Sequence, residues 1–383
     1  MSHITIFSAS IGSGHNEASK ALKKQLETKG HSVTIVDTFY AIHPLLHKVF
    51  FVLYLSMIKR APNLWGRLYK YGADYSWFLI MDKLGGFFCS KLYSIISKQN
   101  TNIMVSTHPF VTAFLSNLKK KHCLNIPLYT VITDLDLHPG YIRPEIDAYF
   151  TGAPNYEVFA KEYNVPCAKF HFTGIPIKTV PDPLLSRYQA RERLGLMPNE
   201  KTVLLTGGGL GLGKYVEIIK SLDGLNSPVQ LVCMTGVNKK ITTKIKSIVS
   251  KHRIHVLEFT DQFIDYLRAS DVILSKAGGL TMSEALACET PILVYKPVPG
   301  HEENNATILT EMGTAIKADK LSDINVLLER LLFDHSFYRS LVQNAKKTKT
   351  PYAASHIANV ITSMPCSRVM HMEGLHPPHL RKP

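Results

Sequence analysis

Residues 272–305 read VILSKAGGLTMSEALACETPILVYKPVPGHEENN, and this stretch decides the fold. An apolar run at Val272–Ser275 predicts a buried strand, and a helix is predicted to follow from about Leu280. A second apolar strand is predicted at Ile292–Tyr295, followed by an acidic, amide-rich turn at 301–305. Consecutive parallel strands place their loops at the same edge of a sheet, where open α/β folds bind their ligands.

The loops after these two strands have compositions that suit a phosphate ligand. Gly278 and Gly279 precede the helix, so they offer bare backbone N–H groups at its positive end, which suits a diphosphate. Glu302 or Glu303 in the second loop could accept hydrogen bonds from ribose hydroxyls. The alternative is an ordinary glycine-containing turn, and a Gly-Gly pair alone is weak evidence. The two loops together favour a binding site.

Length and composition indicate a globular protein of two domains. The chain has 383 residues, more than a typical single hydrophobic core accommodates, with 45% hydrophobic and 19% charged residues. The first predicted strand, Ile4–Ser8, begins almost at the N-terminus, so no signal peptide is expected. The cysteines have no C-x-x-C spacing, which predicts reduced, mostly buried thiols of a cytosolic protein and no disulfide frame or zinc site. They are Cys89, Cys123, Cys167, Cys233, Cys288 and Cys366.

The net charge of +14 is concentrated in one part of the chain. Between Thr38 and Thr133, eleven lysines and arginines stand against two acidic residues. A basic patch of this kind attracts polyanions, either nucleic acid or anionic lipid headgroups. Because no nucleic-acid-binding module is visible, no nucleic-acid partner is predicted.

The basic part of the chain also contains a long apolar and aromatic stretch, residues 45–98. Its uninterrupted apolar part, Val49–Ile58, is too short to span a bilayer. Basic and aromatic side chains interleaved on long helices favour a monotopic contact with a membrane surface. The alternative is a helical cap over the sheet, with its apolar face in the core. The residues predicted to meet the membrane or a lipid acceptor are Phe50, Phe51, Lys59, Arg60, Trp65 and Arg67.

A glycine loop also follows the first predicted strand. It reads Gly12-Ser13-Gly14-His15 and opens a helix that runs to about Lys29. The third glycine of the dinucleotide-binding fingerprint is missing, so the loop does not predict NAD binding. Instead, His15 lies at a helix N-terminus beside two glycines, which favours a catalytic or phosphate-facing role over that of a solvated cap residue.

Two further predicted strands of the first half end in polar residues. Asn102–Thr107 is followed by His108, and Leu128–Thr133 by Asp134 and His138. An aspartate and two histidines could hold a metal, but their spacing matches no metal motif. A base with its orienting partner, acceptor contacts, or plain turn residues are the alternatives that remain. No metal ion and no cofactor are predicted.

The second half repeats the strand, glycine loop and helix. Thr202–Thr206 is followed by Gly207–Gly213, and Gly208 to Lys214 has the spacing of a P-loop. Tyr215 stands where a P-loop needs Ser or Thr to hold magnesium, which argues against an NTPase. The glycines still allow a diphosphate or another chain to approach closely.

The pattern predicts an α/β fold of two Rossmann-like, doubly wound domains with glycine loops facing a common cleft. The proline-punctuated linker is placed at about 175–185. The predicted units are 1–178, 179–350, a C-terminal helix at 351–363 and a disordered tail at 364–383.

Four motifs, taken together, resemble the glycolipid branch of glycosyltransferase family 28. They are Gly12–His15, Gly207–Gly213, Lys276–Ala285 and Tyr295–Asn304. This branch contains monogalactosyldiacylglycerol synthases and bacterial processive diacylglycerol glucosyltransferases. The resemblance covers about residues 1–362 and implies a GT-B fold.

The resemblance further implies inverting transfer of a hexose from UDP-glucose or UDP-galactose to a lipid hydroxyl, of diacylglycerol or glycosyldiacylglycerol. The enzyme would be cytoplasmic and peripheral on the inner face of the cell membrane, at an anionic surface. His15 would be the base, with Asp134 as alternative base or orienting group. The residues implied in donor binding are Gly14, Gly207, Gly208, Gly209, Phe259, Thr260, Lys276, Gly278, Gly279, Leu280, Thr281, Glu284, Pro299, Gly300, Glu302, Glu303 and Asn304.

Other functions remain open at this point. The acceptor could be an undecaprenyl lipid or a small molecule, or the protein could be a UDP-sugar-binding regulator without turnover. A UDP-GlcNAc 2-epimerase has the same architecture, but it acts on a soluble substrate and would not need the basic, aromatic stretch at 45–98. The segment Leu210–Gly213 offers no polar donor contact, and His301 stands where the family commonly has Gln, so the sugar is left open.

Overall fold

The computed structural model describes residues 1–10, 12–71, 89–181 and 183–364. They form two six-stranded parallel sheets, which confirms the predicted α/β fold with two Rossmann-like domains. The first sheet has the order β2-β1-β3-β4-β5-β6, and the second has the order β12-β11-β10-β7-β8-β9. The strands are β1 His3–Ser8, β2 Ser32–Asp37, β3 Ile103–Ser106, β4 Leu128–Val131, β5 Ala148–Thr151, β6 Phe170–Phe172, β7 Thr202–Thr206, β8 Gln230–Met234, β9 Arg253–Leu257, β10 Val272–Ser275, β11 Ile292–Tyr295 and β12 Ala315–Ala318.

Most of these strands were visible in the sequence because both faces of a parallel sheet are covered, which gives short continuous apolar runs. Strand β12 was not predicted. Within the described part of the chain it pairs with β11 alone, at the edge of the second sheet, and its sequence AIKA contains the exposed Lys317. A short edge strand with a charged residue lacks the apolar run on which the prediction relies.

Helices cover the sheets and connect the strands. In the first half they are α1 Gly14–Thr28, α2 Thr38–Ile42, α3 Pro44–Arg60, α4 Pro62–Tyr71, α5 at 89–98, α6 Pro109–Lys121 and α7 Tyr156–Glu162. In the second half they are α8 Arg187–Arg193, α9 Tyr215–Leu222, α10 Lys239–Lys246, α11 Phe263–Ala269, α12 Gly279–Ala287, α13 His301–Glu311, α14 Asp323–Phe333, α15 His335–Thr348 and α16 Ala353–Ser363. The predicted turn at 301–305 is wrong, because these residues form the first turn of α13.

The apolar stretch begins with two helices, α3 and α4, that form a hairpin. The break falls at Ala61, since a residue before proline avoids the helical conformation. Val49, Val52 and Leu53 of α3 are 53%, 56% and 55% exposed, an apolar face that the described chain leaves uncovered. Phe50 was predicted to face a membrane, but it packs inward, with its ring centroid 5.4 Å from that of Phe39. No helix of the described ranges is both long and apolar enough to cross a membrane.

The C-terminal helix α16 leaves the second domain and returns to the first. Its Ile357 and Ile361 are fully buried against Leu22 and Leu26 of α1 and complete one core of the first domain. The sequence predicted this helix but not its destination. The tail predicted at 364–383 lies outside the described residues, except for its first residue.

Three of the five described cysteines are buried. Cys89, Cys233 and Cys288 are buried, whereas Cys123 and Cys167 are exposed. All five have free thiols, while Cys366 lies outside the described residues.

We expect Ile357→Ala to lower the free energy of unfolding by about 2–5 kcal/mol, because it opens a cavity in a closely packed core. The measurement is denaturant unfolding of the whole chain. Asn359→Ala, on the exposed face of the same helix, is the matched control and should change stability by less than about 0.5 kcal/mol. Equal, small effects of the two substitutions would show that α16 does not support the first domain.

Candidate active site

The carboxyl edges of the two sheets face each other, and glycines let their loops touch. A Cβ at Gly209 would lie 2.7 Å from the Ser13 Cβ, so only glycine permits this contact with the first domain. A Cβ at Gly279 would lie 2.9 Å from the Asp134 Cα and would overlap the Thr133 carbonyl. Gly279 was predicted to face a diphosphate; the structure uses it for the approach of the two domains.

The side chain of Asn305 hydrogen-bonds to both domains at this contact. The Asn305 Oδ1 accepts hydrogen bonds from the backbone N–H groups of Leu135 and Asp136 at 2.9 and 3.2 Å. Its Nδ2 donates to Asp134 Oδ1 and to the Ala277 carbonyl, both at 3.0 Å. Asn305 is fully buried, and its hydrogen-bonding capacity is used in full. Sequence reasoning missed this role, since nothing in the sequence separates Asn305 from its neighbour Asn304.

His15 lies at the start of α1, in the cleft between the domains. Its Nδ1 is 2.7 Å from the Thr107 carbonyl oxygen and 2.8 Å from Thr133 Oγ1. A carbonyl can only accept, so Nδ1 carries the proton and Nε2 presents a lone pair. Burial lowers the pKa of His15 below its ordinary value of 6.5, and the nearby Asp134 carboxylate opposes this shift. His15 is therefore neutral at pH 7.

A cavity of about 90 Å³ lies beside the start of α12 and collects many of the predicted donor residues. Those on its wall are Gly208, Gly209, Phe259, Thr260, Leu280, Thr281 and Glu284. Other wall residues were not predicted, among them Ser13, Glu17 and Lys178. Lys178 comes from the linker, and its ammonium lies 2.9 Å from Asp261 Oδ1 and 3.7 Å from Glu17 Oε2. A single linker lysine has no sequence signature, so only the fold reveals it.

Glu284 is a buried acid on the wall of this cavity. Burial raises its pKa to about 8, Lys178 opposes the shift and Glu17 adds to it. The carboxyl group is therefore mostly protonated at pH 7 and can both donate and accept a hydrogen bond.

Of the two acids after Gly300, Glu302 differs from its prediction. It was predicted to hold sugar hydroxyls, but it is 2% exposed and both carboxylate oxygens are committed within the protein. One pairs with the Lys276 ammonium, and the other accepts from the Val298 N–H at 2.8 Å. Glu302 thus fixes the loop before α13. Glu303 is exposed and accepts from the Gly300 N–H at 3.3 Å.

Other predicted donor residues line or support the same edge. Gly300 has a φ of +93°, which favours glycine, and the Tyr69 ring of α4 packs directly on it. Asn304 Nδ2 donates to Asp136 Oδ2 at 2.6 Å, so it bridges the two domains. A Cβ placed on Gly14 would lie 3.8 Å from the Leu280 Cβ, so the two residues are in contact across the cleft. Gly278 is the N-cap residue of α12.

The second glycine loop is closed by Tyr215, the residue that argued against a P-loop. The Gly207 N–H donates to the Tyr215 hydroxyl at 2.5 Å, and this hydroxyl donates to the Met234 carbonyl at 2.7 Å. The buried phenol therefore occupies the inside of the turn. Gly208 and Gly211 have φ values of +72° and +57°, which explains the need for glycine at both positions.

The two histidines considered for a metal set act as caps. Nδ1 of His108 accepts from the Phe110 N–H at 3.2 Å, and Nδ1 of His138 accepts from the Gly140 N–H at 3.0 Å. The other ring nitrogen of His138 donates to the Tyr69 carbonyl at 3.2 Å. No group of three or more His, Cys, Asp or Glu placed to hold a metal occurs in the ranges described above.

The predicted membrane residues divide into two sets. Lys59, Arg60 and Arg67 are exposed, and Lys59 also lines a second, larger cavity between the α3–α4 hairpin and the second domain. Trp65 and Phe51 are half-buried, and the Trp65 ring lies edge-on to Tyr54 at 5.3 Å between centroids. The larger cavity also takes in the predicted donor residues Lys276, Pro299 and Glu303.

We expect Glu284→Gln to stabilise the protein increasingly as the pH rises. The pKa of Glu284 is raised to about 8 in the folded state. The protonated carboxyl therefore contributes stability that is complete below the pKa of the unfolded state and is lost as the pH rises through about 8. Glutamine does not ionise and escapes this loss. The measurement is the difference in Tm between variant and wild type at about pH 5 and about pH 9.

The exposed Glu311→Gln serves as the control for this comparison, with a Tm difference that stays nearly constant over the same range. A constant difference for Glu284→Gln as well would contradict the raised pKa.

Known proteins resemble both domains in sequence. A family model described as "Monogalactosyldiacylglycerol (MGDG) synthase" matches residues 15–177, and one described as "Glycosyltransferase family 28 C-terminal domain" matches residues 202–360. The "Processive diacylglycerol beta-glucosyltransferase" of Bacillus cereus (strain G9842) is 28% identical over 373 residues, which cover 94% of this chain and 92% of that protein. The protein of the same name from Bacillus anthracis (strain CDC 684 / NRRL 3495) matches to the same extent.

Solved structures resemble the fold. MurG of Acinetobacter baumannii superimposes with a TM-score of 0.61 at 17% identity, over 95% of this chain and 100% of that chain. MnaA of S. aureus, solved with UDP, gives 0.62 at 17% identity, over 94% and 96%. These likenesses establish the GT-B fold. Because one family model matches the first domain and the other matches the second, the chain is a hexosyltransferase that belongs to the glycolipid branch of glycosyltransferase family 28.

Proposed function

We propose that this enzyme transfers glucose or galactose from a UDP-sugar to a hydroxyl of diacylglycerol or glycosyldiacylglycerol, with inversion, at the inner face of the cell membrane. The names of the relatives support the acceptor class: they are diacylglycerol glucosyltransferases, and the matching family model is named for a galactosyl transfer. The observation that carries the mechanism is the hydrogen bond between His15 Nδ1 and the Thr107 carbonyl.

This hydrogen bond makes His15 a general base. The proton sits on Nδ1, and burial keeps the ring neutral, so Nε2 can take a proton at pH 7. The acceptor hydroxyl oxygen attacks the anomeric carbon from the face opposite the phosphate. The bond from that carbon to the β-phosphate oxygen breaks, the hydroxyl proton moves to Nε2, and UDP leaves. Asp134 stabilises the positive charge that develops on the ring.

The smaller cavity suits the leaving nucleotide. Leu280 and Thr281 lie in the first turn of α12, where backbone N–H groups have no partner within the helix. Negative charge that develops on the diphosphate is stabilised there without a metal ion. Glu284 lies deeper on the same wall and suits the ribose hydroxyls, and the exposed ring of Phe259 frames the uracil.

The α3–α4 hairpin supports action at a membrane surface. Leu45, Val49, Val52 and Leu53 form an exposed apolar face on α3, and Leu64 and Leu68 extend it on α4. Exposed basic residues flank this face: Lys48, Arg60, Arg67 and Lys70. Apolar side chains beside basic ones complement a bilayer interface with anionic headgroups.

We expect His15→Ala to lower the rate of hexose transfer at least about 100-fold, because the general base is lost. UDP affinity should stay within about twofold, since His15 does not line the smaller cavity. The measurement follows UDP release and lipid products with UDP-glucose or UDP-galactose and vesicles of diacylglycerol and phosphatidylglycerol.

His356→Ala, exposed on α16, is the control and should retain full turnover. Undiminished transfer by His15→Ala would remove His15 from the mechanism. UDP binding without transfer in the wild type, with either sugar, would favour a regulator over an enzyme with this acceptor.

We expect the triple substitution of Val49, Val52 and Leu53 by Ser to weaken vesicle binding at least about tenfold, because each buried apolar side chain contributes about 1.5–3 kcal/mol. Flotation with vesicles containing phosphatidylglycerol measures the effect, at low and high salt. Val326→Ser replaces a side chain that is 70% exposed on α14 and is the control. Equal binding by both variants would show that this face does not meet the membrane.

A further inference from the structure

The larger cavity lies on the opposite side of the second glycine loop from the predicted nucleotide pocket. Its volume is about 600 Å³, within the range of small-molecule sites. It opens at the carboxyl ends of β7, β10, β11 and β12, and the end of α3 with the start of α4 forms its remaining wall. Of the residues that the structure describes, the two cavities have Thr206 alone in common. The larger cavity is therefore a separate site at the ligand-binding edge of the sheet.

The wall of this cavity is strongly basic. Five lysines line it: Lys59, Lys214, Lys276, Lys296 and Lys317. Among the described residues, the acids on this wall are Glu303 and Asp319. Five lysines against two acids give this concave wall a net positive charge, which attracts an anion.

Three of these ammonium groups are not neutralised by an acid. Within the described ranges, Lys59 and Lys214 make no side-chain hydrogen bond or ion pair, and Lys296 only lies over the Tyr295 ring, 5.9 Å from its centroid. In contrast, Lys276 pairs with Glu302, and Lys317 lies 3.6 Å from Asp319. The unpaired charges come from both sides of the cavity, Lys59 from the hairpin and the other two from the second domain.

The backbone at Lys296 gives an independent indication. This residue has a φ of +51°, in the left-handed region that long side chains rarely adopt. Its position is the end of β11, where a glycine or asparagine would fit without strain. A lysine held in such a conformation at a cavity wall indicates a ligand-facing role.

We propose that this cavity binds a phosphate ester, held between Lys59 of the hairpin and Lys214 and Lys296 of the second domain. Lysine binds phosphate as a point charge, and the cavity is larger than inorganic phosphate requires. The phosphate ester is the headgroup of an anionic glycerolipid, because Lys59 lies in the last turn of the helix that carries the exposed apolar face. Only this choice of source rests on the proposed function. A bound headgroup joins the hairpin to the second domain across the mouth of the cleft.

The test compares Lys214→Ala/Lys296→Ala with Lys240→Ala/Lys244→Ala, which removes the same charge from the exposed face of α10. Glycerol 3-phosphate is the soluble probe, followed by its effect on Tm and by calorimetry. Vesicles of phosphatidylglycerol or of phosphatidylcholine are the lipid probe. UDP binding is measured on each protein to report on the donor site separately.

We expect wild type and control to bind glycerol 3-phosphate and the cavity variant to bind it at least about tenfold more weakly, with UDP affinity unchanged in all three. An equal loss on phosphatidylglycerol vesicles identifies the lipid headgroup. A loss confined to the soluble ester supports the site with a free phosphate ester as its ligand.

Two results would overturn the proposal. One is the same affinity of cavity variant and control for both probes. The other is a parallel loss of UDP binding in the cavity variant, which would assign these lysines to the donor site. Neither result depends on hexose transfer, so failure of the proposed function is recognised separately.

Discussion

The side chain of Asn305 holds the two domains in register, and the rest of the site depends on it. It satisfies two backbone N–H groups of the first domain, at Leu135 and Asp136, and donates to Asp134 and to the Ala277 carbonyl of its own domain. Rotation of the domains apart would leave several buried polar groups without partners, each at a cost of about 1–3 kcal/mol unless water replaces the bond. This amide therefore specifies one closed arrangement, in which the start of α12 lies against the loop that follows β4.

Closure also sets the protonation states in the cleft. Burial away from water disfavours the charged form of an ionisable group. It therefore lowers the pKa of His15 and raises the pKa of Glu284. A base and an acid in the same cleft are thereby both neutral at pH 7. The uncompensated positive charge lies elsewhere, among the lysines of the larger cavity. The enzyme thus separates a region of neutral donors and acceptors from a region that attracts anions.

The sequence predicted those parts of the fold that local pattern determines. Apolar runs located most strands, and glycines after β1, β7 and β10 located the loops that meet at the cleft. The errors concern partners far away in the chain. Nothing local shows that Glu302 pairs with Lys276, that Phe50 packs on Phe39, or that Lys178 in the linker reaches Asp261. The edge strand β12 lacked an apolar run, and the turn predicted at 301–305 proved helical because acids at a helix start resemble a polar loop.

The return of α16 to the first domain has a consequence for how the chain folds. Leu22 and Leu26 of α1 need Ile357 and Ile361 of α16 to cover them, and these residues come from opposite ends of the chain. During synthesis the first domain emerges with this apolar surface open, and it stays open until the second domain has been made. Contacts so distant in sequence form late, because loop closure must precede them. The stability of the first domain therefore depends on α16, and so on completion of the second domain.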